Sequence, residues 1–456
     1  MATLDVLCFG ERAGVLADEP GGPRFTYDPA WLAAARPPLS QSLPLDGPPL
    51  PGAVHAFFGG LLPEGEPRHQ LARRLGVSER NDFALLAAIG GDTAGAITLA
   101  PPGAAPPGAS GADVDWLDEA QLAELIATLP DRPMLADEDG EIRLSLAGAQ
   151  DKLPVVVDAN GRVGITSGRT PSTHILKMPI ARFPGTVVNE AFCLAFGYRL
   201  GVPTVDAQPR RAGGTPYLLV GRYDREAHAA DGGFARLHQE DFCQALAIPS
   251  ERKYEVEGGP SLVDCFELVR RATSVPAKHT LVLLDAVGLN FLVGNHDAHG
   301  KNFSLLRIPD RTELAPFYDV LSTVAYPGLA RKAAMAIGGE RRPDYVRRRH
   351  LDRLCEAAGL GGAAVRRRLL AMAREAPEAA RTVRAALAAD GWDDPVLDTV
   401  LRVVDRRAAH LTEIASPRPA NGRPRRTRLR PVALAAEPTP RWPPPASSSS
   451  PGSTRR

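Results

Sequence analysis

Asn295-His296-Asp297-Ala298-His299-Gly300-Lys301-Asn302 follows the apolar run Leu281 to Val293 after a single glycine, and its reading decides the rest of the chain. The run has the length and apolarity of a buried helix. The eight residues after it supply a carboxylate, two imidazoles, an ammonium and two carboxamides. Asp297 and Asn302 stand five positions apart: one group able to take a proton from a hydroxyl, the other able to ligate a hard cation through oxygen. Elsewhere the chain writes positive charge almost wholly as arginine, with forty-eight Arg and six Lys. Lys152, Lys177 and Lys301 are three of those six, which suggests positions where a compact point charge is needed. The excess of Ala, Arg, Pro and Gly suggests a GC-rich bacterial genome and weakens that suggestion.

An Asp and an Asn at this spacing, just after a buried helix, match a protein-kinase catalytic loop, with Asp297 as base and Asn302 as magnesium ligand. His299 and Lys301 would lie near a transferred phosphate. Two other readings stay open: a metal cluster of His296, Asp297 and His299, as in a hydrolase, and a plain polar loop. Phosphoryl transfer requires three further parts. Asp319 follows a strand at Phe303–Leu306, a turn at Pro309-Asp310-Arg311 and a return over Glu313–Tyr318, so a hairpin would set it beside Asn302 to share a metal. Lys177, on the strand His174-Ile175-Leu176-Lys177, could pair with Glu190 on the following amphipathic helix, Val187–Leu200, and hold phosphates. The alternative is a surface Lys with an apolar stem. Leu144-Ser145-Leu146-Ala147-Gly148-Ala149-Gln150-Asp151-Lys152 places small residues between two strands, where backbone N–H groups could cover phosphates; an ordinary hairpin is the alternative.

Composition agrees with a soluble globular chain of two or three domains: 456 residues, 44% hydrophobic and 23% charged. No apolar stretch has membrane-spanning length, and no signal peptide is visible at the start, so a cytoplasmic location with no membrane partner is expected. Five cysteines without zinc-like spacing read as reduced, buried thiols. The net charge of +1 is uneven. From Ser416 onward nine Arg meet one acidic residue. That Pro- and Ser-rich tail, 416–456, is expected to be disordered, either a solvated extension or a loose nucleic-acid contact.

The expected architecture is α+β and bilobal, protein-kinase-like. Short elements over 1–105 include a strand at Phe25-Thr26-Tyr27 and helices over Pro29–Ala35, Phe57–Leu75 and Asp82–Ile89. A linker and short helix fill 106–136. A β-rich lobe spans 137–247, with a hairpin turn at Asp158-Ala159-Asn160-Gly161 and a hinge-like strand at Tyr217–Arg222. An all-α lobe follows over 248–415, with helices over Leu262–Arg271, Leu281–Val293, Tyr345–Ala358, Ala363–Ala373 and Val396–Ala415.

Taken together, Ser145 to Lys152, His174 to Lys177, His238-Gln239-Glu240-Asp241-Phe242-Cys243-Gln244-Ala245, Asn295 to Asn302 and Pro316-Phe317-Tyr318-Asp319 resemble HipA-type serine/threonine kinases, the toxins of bacterial HipBA toxin–antitoxin modules. Tyr27 to Trp31, Leu61-Leu62-Pro63-Glu64-Gly65 and Phe83 to Asp92 resemble the N-terminal subdomain of that family. The resemblance covers roughly residues 4–415. It implies a kinase using ATP and Mg2+, with Asp297 as base and Asn302 and Asp319 as metal ligands. Nucleotide contacts would come from Ala147, Gly148, Ala149, Gln150, Lys152 and Lys177, and from Val220, Arg222 and Tyr223 at the hinge. It implies autophosphorylation at Ser145, a protein substrate such as an aminoacyl-tRNA synthetase or another translation factor, and a HipB-like helix-turn-helix antitoxin that carries the pair to operator DNA. Two departures stand out. Gly221 replaces a usual Glu, which puts a side-chain contact to adenine in doubt, and Ala247 replaces a usual Gly, expected to be harmless. A small-molecule kinase of similar fold and a catalytically inactive antitoxin partner are the competing functions.

Overall fold

Alternation along His174-Ile175-Leu176-Lys177 determines which side of the central sheet carries chemistry. Successive side chains of a strand point to opposite faces. Leu176 enters a core with Leu153, Val155, Tyr217 and Leu219, closed by Ile126 and Leu129. Ile175 and Lys177 face the other way, into a cleft. The computed structural model describes residues 2–104, 114–129, 150–166, 170–227 and 234–417. The phosphate-covering segment Leu144–Ala149, with Ser145, and nearly all of the tail lie outside the described residues.

The sheet is antiparallel and six-stranded, in the order Val114–Trp116, Val163–Thr166, Lys152–Val157, His174–Lys177, Thr215–Gly221, Ala207–Ala212. The hairpin at Asp158–Gly161 forms as expected, with Gly161 at φ 81° and its N–H on the Asp158 carbonyl. Within the span expected as linker, Val114–Trp116 forms the edge strand, and Glu119–Thr128 forms a helix whose first turn is capped reciprocally by Asp118 and Gln121.

Residues 3–100 build a separate core beneath a four-stranded sheet, ordered Gly22–Tyr27, Glu11–Glu19, Thr3–Cys8, Ile97–Ala100. The single helix expected over Phe57–Leu75 is two helices, Ala53–Gly59 and Gly65–Arg74. Pro63 explains the break: it has no N–H for a helical bond and pushes Leu62 out of helical geometry. Glu64 is thereby left on a turn.

The third core joins the helix Thr186–Arg199 to the helices Leu262–Ala272, Pro276–Val293, Arg348–Ala357, Gly362–Ala389 and Pro395–Ala415. The expected end at Ala373 is corrected to Ala389, because the helix continues through Pro377. Burial of Ala373, Ala376, Ala379 and Ala380 outweighs the hydrogen bond that proline removes. The lobe is also not wholly helical. His238–Asp241, Ser304–Ile308 and Arg311–Leu314 form an antiparallel sheet. Residues 1–416 form one compact unit. No helix among the described residues is long and apolar enough to cross a membrane, and all five cysteines are buried and unpaired.

Candidate active site

Lys177 emerges from its strand into the cleft and meets Glu190, which projects from an otherwise apolar helix. Its ammonium nitrogen lies 2.7 and 2.9 Å from the two Glu190 oxygens and 2.8 Å from Asp319 Oδ1. Lys152 is the cross-strand partner of Lys177 in register, on the same face. Burial first, and then Lys177, push its ammonium down to about 8. Gln150, at the start of the same segment, donates through Nε2 to the Met178 carbonyl.

The catalytic-loop segment is set by the end of the long helix. Gly294 adopts φ 70°, which glycine reaches without penalty, and a Cβ there would collide with Val324 Cγ2. Asn295 N–H then returns to the Asn290 carbonyl, and Asn295 Oδ1 accepts the Asp297 N–H at 3.0 Å. The hairpin Ser304–Ile308 with Arg311–Leu314 leads the chain back, and Asp319 Oδ2 accepts from Asn302 Nδ2 at 3.0 Å. Asp319 sits at φ 58°, a left-handed backbone in which Asp and Asn are enriched among non-glycine residues. Burial would raise its carboxyl, but Lys177 and then Lys152 outweigh burial and hold it below the usual carboxylate range. Asp319 and the Asn302 carboxamide are hard oxygen donors of the kind Mg2+ takes.

Asp297 lies at the exposed end of the loop, and burial on its inner side raises its carboxyl above the usual range. Its Oδ1 accepts the Tyr254 hydroxyl at 2.7 Å. His299 is buried, and burial followed by the Lys253 charge depresses its imidazole to about 3, so it is neutral. Its backbone N–H donates to Asn302 Oδ1 at 3.1 Å.

Two expected site residues, Lys301 and Arg222, have their charged groups engaged by the protein itself. Lys301 reaches the cleft, but its ammonium is engaged by Asp241 at 3.0 Å, Glu64 at 3.5 Å, the Gly60 carbonyl at 3.1 Å and Ser250 Oγ at 3.2 Å. It ties the loop to the N-terminal subdomain instead of standing free for a phosphate. Arg222 has its guanidinium on Asp224, Ser172 Oγ and the Thr93 carbonyl, so only its backbone and stem remain for a nucleotide. Val220 and Tyr223 line the cleft, with Tyr223 stacked on Tyr318. At Gly221 a Cβ would meet nothing nearer than 3.7 Å, so the missing side chain leaves open space. Ala247 sits at φ 58°, a conformation costly for a residue with a Cβ. The expectation that this replacement is harmless is therefore corrected.

The rival metal cluster finds no support among the described residues, which hold no group of three or more His, Cys, Asp or Glu able to bind a metal. His296 instead bonds the Ala330 carbonyl through Nδ1. Sequence reading missed the contribution of the N-terminal subdomain. Gly60 and Ala94 line the cleft, and Glu64 reaches both Lys253 and Lys301. Behind the hinge, Asp92 pairs with Arg225 at 2.9 Å and Arg236 at 2.5 Å, in a buried network that includes Arg222 and Asp224. The available signal was the pair of motifs around Glu64 and Asp92, quoted above for resemblance alone.

Comparison with known proteins identifies the family. The HipA N-terminal domain family matches residues 4–100, and the HipA-like C-terminal domain family matches residues 144–382. A Sinorhizobium fredii protein whose name, Y4mE, carries only a kinase designation is 46% identical over 371 residues, 80% of this chain and 88% of that protein. The serine/threonine-protein kinase toxin HipA of Shewanella oneidensis is 33% identical over 356 residues, 75% of this chain and 80% of that protein. The solved complex of Shewanella oneidensis HipA with HipB and operator DNA contains a chain that superposes with a TM-score of 0.76 at 28% identity, covering 90% of this chain and 96% of that one.

Proposed function

This chain belongs to the HipA family of serine/threonine-protein kinases, and from that membership we propose that it transfers the terminal phosphoryl group of ATP, with Mg2+, to a serine or threonine of a protein. One observation carries the reading. Lys177, Glu190, Asp319 and Asn302, from four separate segments, are linked by hydrogen bonds within a single cleft. Burying a Lys between two carboxylates carries a desolvation cost, which favours a functional reading of the cluster over a purely stabilising one.

In this reading Lys177 and Lys152 hold the nucleotide phosphates and Gln150 to Lys152 continue the covering segment. The Val220–Tyr223 stretch faces the base. Asp319 and Asn302 would hold the metal, which would supply positive charge against the charge that develops during transfer. Asp297, with its carboxyl raised by burial, accepts the proton of the attacking hydroxyl. Neutral His299 can share a hydrogen bond near the transferred group without adding charge.

Autophosphorylation at Ser145 and a translation-related substrate, such as an aminoacyl-tRNA synthetase, extend this proposal from the family resemblance. The HipB and operator DNA in the solved complex support a helix-turn-helix antitoxin as partner, with DNA contact through it. The match of residues 4–100 to the HipA N-terminal domain favours this over a small-molecule kinase. Purified protein incubated with γ-labelled ATP, Mg2+ and a bacterial lysate is expected to label a discrete polypeptide on serine or threonine. Labelling confined to small molecules would support the rival reading. No labelling of any acceptor, in protein that binds ATP, would leave only the inactive-partner reading.

A further inference from the structure

Among the described residues, one side chain alone bonds the Asp297 carboxylate, and it is that of Tyr254. Tyr254 lies on the short segment between the turns Ser250–Arg252 and Glu255–Glu257. That segment is pinned from several sides. Gly300 N–H donates to the Lys253 carbonyl at 3.3 Å, Glu255 N–H to the Ala334 carbonyl at 3.3 Å, and Gly259 N–H to the Tyr254 carbonyl at 2.8 Å. The Tyr254 ring also stands edge-on to His299, with centroids 5.2 Å apart. From the other side comes Glu64, on the turn that Pro63 creates between two N-terminal helices. Its Oε2 takes the Lys253 ammonium at 2.7 Å, and its Oε1 lies 3.5 Å from Lys301, the residue before Asn302. Glu64 therefore bears at once on the segment that holds Asp297 and on the residue preceding Asn302.

We propose that Glu64, Lys253 and Tyr254 form a positioning chain from the N-terminal subdomain to Asp297, so that a residue outside the kinase lobes, Glu64, helps set the rate of phosphoryl transfer. This rests on the reading of Asp297 as the base. A carboxylate at an exposed loop end rotates freely about its last bond unless one oxygen is held. Tyr254 holds Oδ1 and leaves Oδ2 to the acceptor hydroxyl. Small losses of alignment between base and nucleophile cost rate steeply, about 100-fold for a displacement of about 1 Å. The turn at 60–64, not a bound nucleotide, supplies the anchor. The groups acting on Asp297 are Tyr254 and Lys253, which favour its ionised form, and Asp319 and Glu64, which oppose it.

The probe is Mg–ATP with water as acceptor, read as ADP release by the full chain, alongside self-labelling from γ-labelled ATP. Tyr254→Phe is expected to lower kcat about 10- to 100-fold with KM for ATP unchanged. Its acid limb in the kcat–pH profile should move to higher pH, because a hydrogen bond to the carboxylate has gone. Glu64→Gln should also lower kcat, but its acid limb should move to lower pH, because a carboxylate that opposes ionisation of Asp297 has gone. The double variant should be no slower than Tyr254→Phe alone, since both act through one chain. Thermal unfolding of each variant separates misfolding from misalignment, and the half-buried Tyr254 is the safer site of the two. Wild-type kcat with an unmoved acid limb in Tyr254→Phe, or additive losses in the double variant, would overturn the proposal. Asp297→Asn isolates the underlying reading: if it turns over like wild type, the base assignment fails whatever Tyr254 does.

Discussion

Lys152 and Lys177 stand directly opposite one another on neighbouring strands, two ammonium groups facing the same cleft. Like charges in this position repel, and the cost falls unevenly. Lys177 is held between Glu190 and Asp319, whereas Lys152 makes no hydrogen bond or ion pair among the described residues. An anion entering the cleft would relieve that imbalance.

Nucleotide affinity should therefore depend on pH through Lys152. Its ammonium is depressed to about 8 in the free protein, and a phosphate favours the charged form. Affinity for ATP is expected to hold below pH 8 and to fall as pH rises above it, by up to about tenfold per pH unit. In Lys152→Met the affinity should be lower and this decline should vanish. Titration calorimetry across pH 7 to about 9.5 checks both.

Asp319→Asn should separate charge from backbone. Asn tolerates the left-handed conformation at φ 58° nearly as well as Asp, so the fold should persist. Turnover should fall about 10²-fold or more, equivalent to ~2.7 kcal/mol, and should lose its rise with Mg2+ concentration. Unchanged magnesium dependence would count against Asp319 as a ligand.

Ala247→Gly should stabilise the protein. Ala pays a steric penalty at φ 58° that Gly does not, about 1 kcal/mol. Urea unfolding monitored on the full chain is the check, and an unchanged or lowered midpoint would show that a side-chain contact compensates.

Acid should loosen the joint between the N-terminal subdomain and the hinge. Burial alone would raise Asp92 and Asp224, but Arg236, Arg225 and Arg222 outweigh it at Asp92, and Arg222 and Arg225 do so at Asp224. Asp224 is held down to about 2, and Asp92 also lies below the usual range. A carboxyl depressed on folding stabilises fully above its unfolded value, about 3.9, and that stabilisation is lost as pH falls toward the folded value. Stability should thus drop between about pH 4 and 2, and Asp92→Asn should remove part of that drop at a cost of about 3 kcal/mol or more at neutral pH. Thermal unfolding against pH for both proteins measures it.

The parts of the site that follow from local spacing were legible in the sequence. The strand at His174–Lys177 appears with the expected limits, and the hairpin after Asn302 returns Asp319 to its side. What escaped were contacts between residues distant along the chain. Nothing in the spacing around Glu64 announces a partner 189 residues away at Lys253, and Tyr254 lies 43 residues before the Asp297 it bonds. Lys301 is expected near a transferred phosphate because a sequence shows its charge but not Asp241 and Glu64 around it. Local rules also failed where packing overrode them: the helix expected to end at Ala373 runs through Pro377 to Ala389, among small buried residues. In the other direction, the mixed polar pattern of Glu11–Glu19 concealed a strand that pairs on both sides.

The most direct measurement is single-turnover transfer from γ-labelled ATP by the full chain and by Asp297→Ala, at matched nucleotide occupancy and with Mg2+ present. The account predicts transfer to a serine or threonine in the wild type and none above background in the variant, although both bind ATP equally. Transfer at the wild-type rate in Asp297→Ala would contradict it.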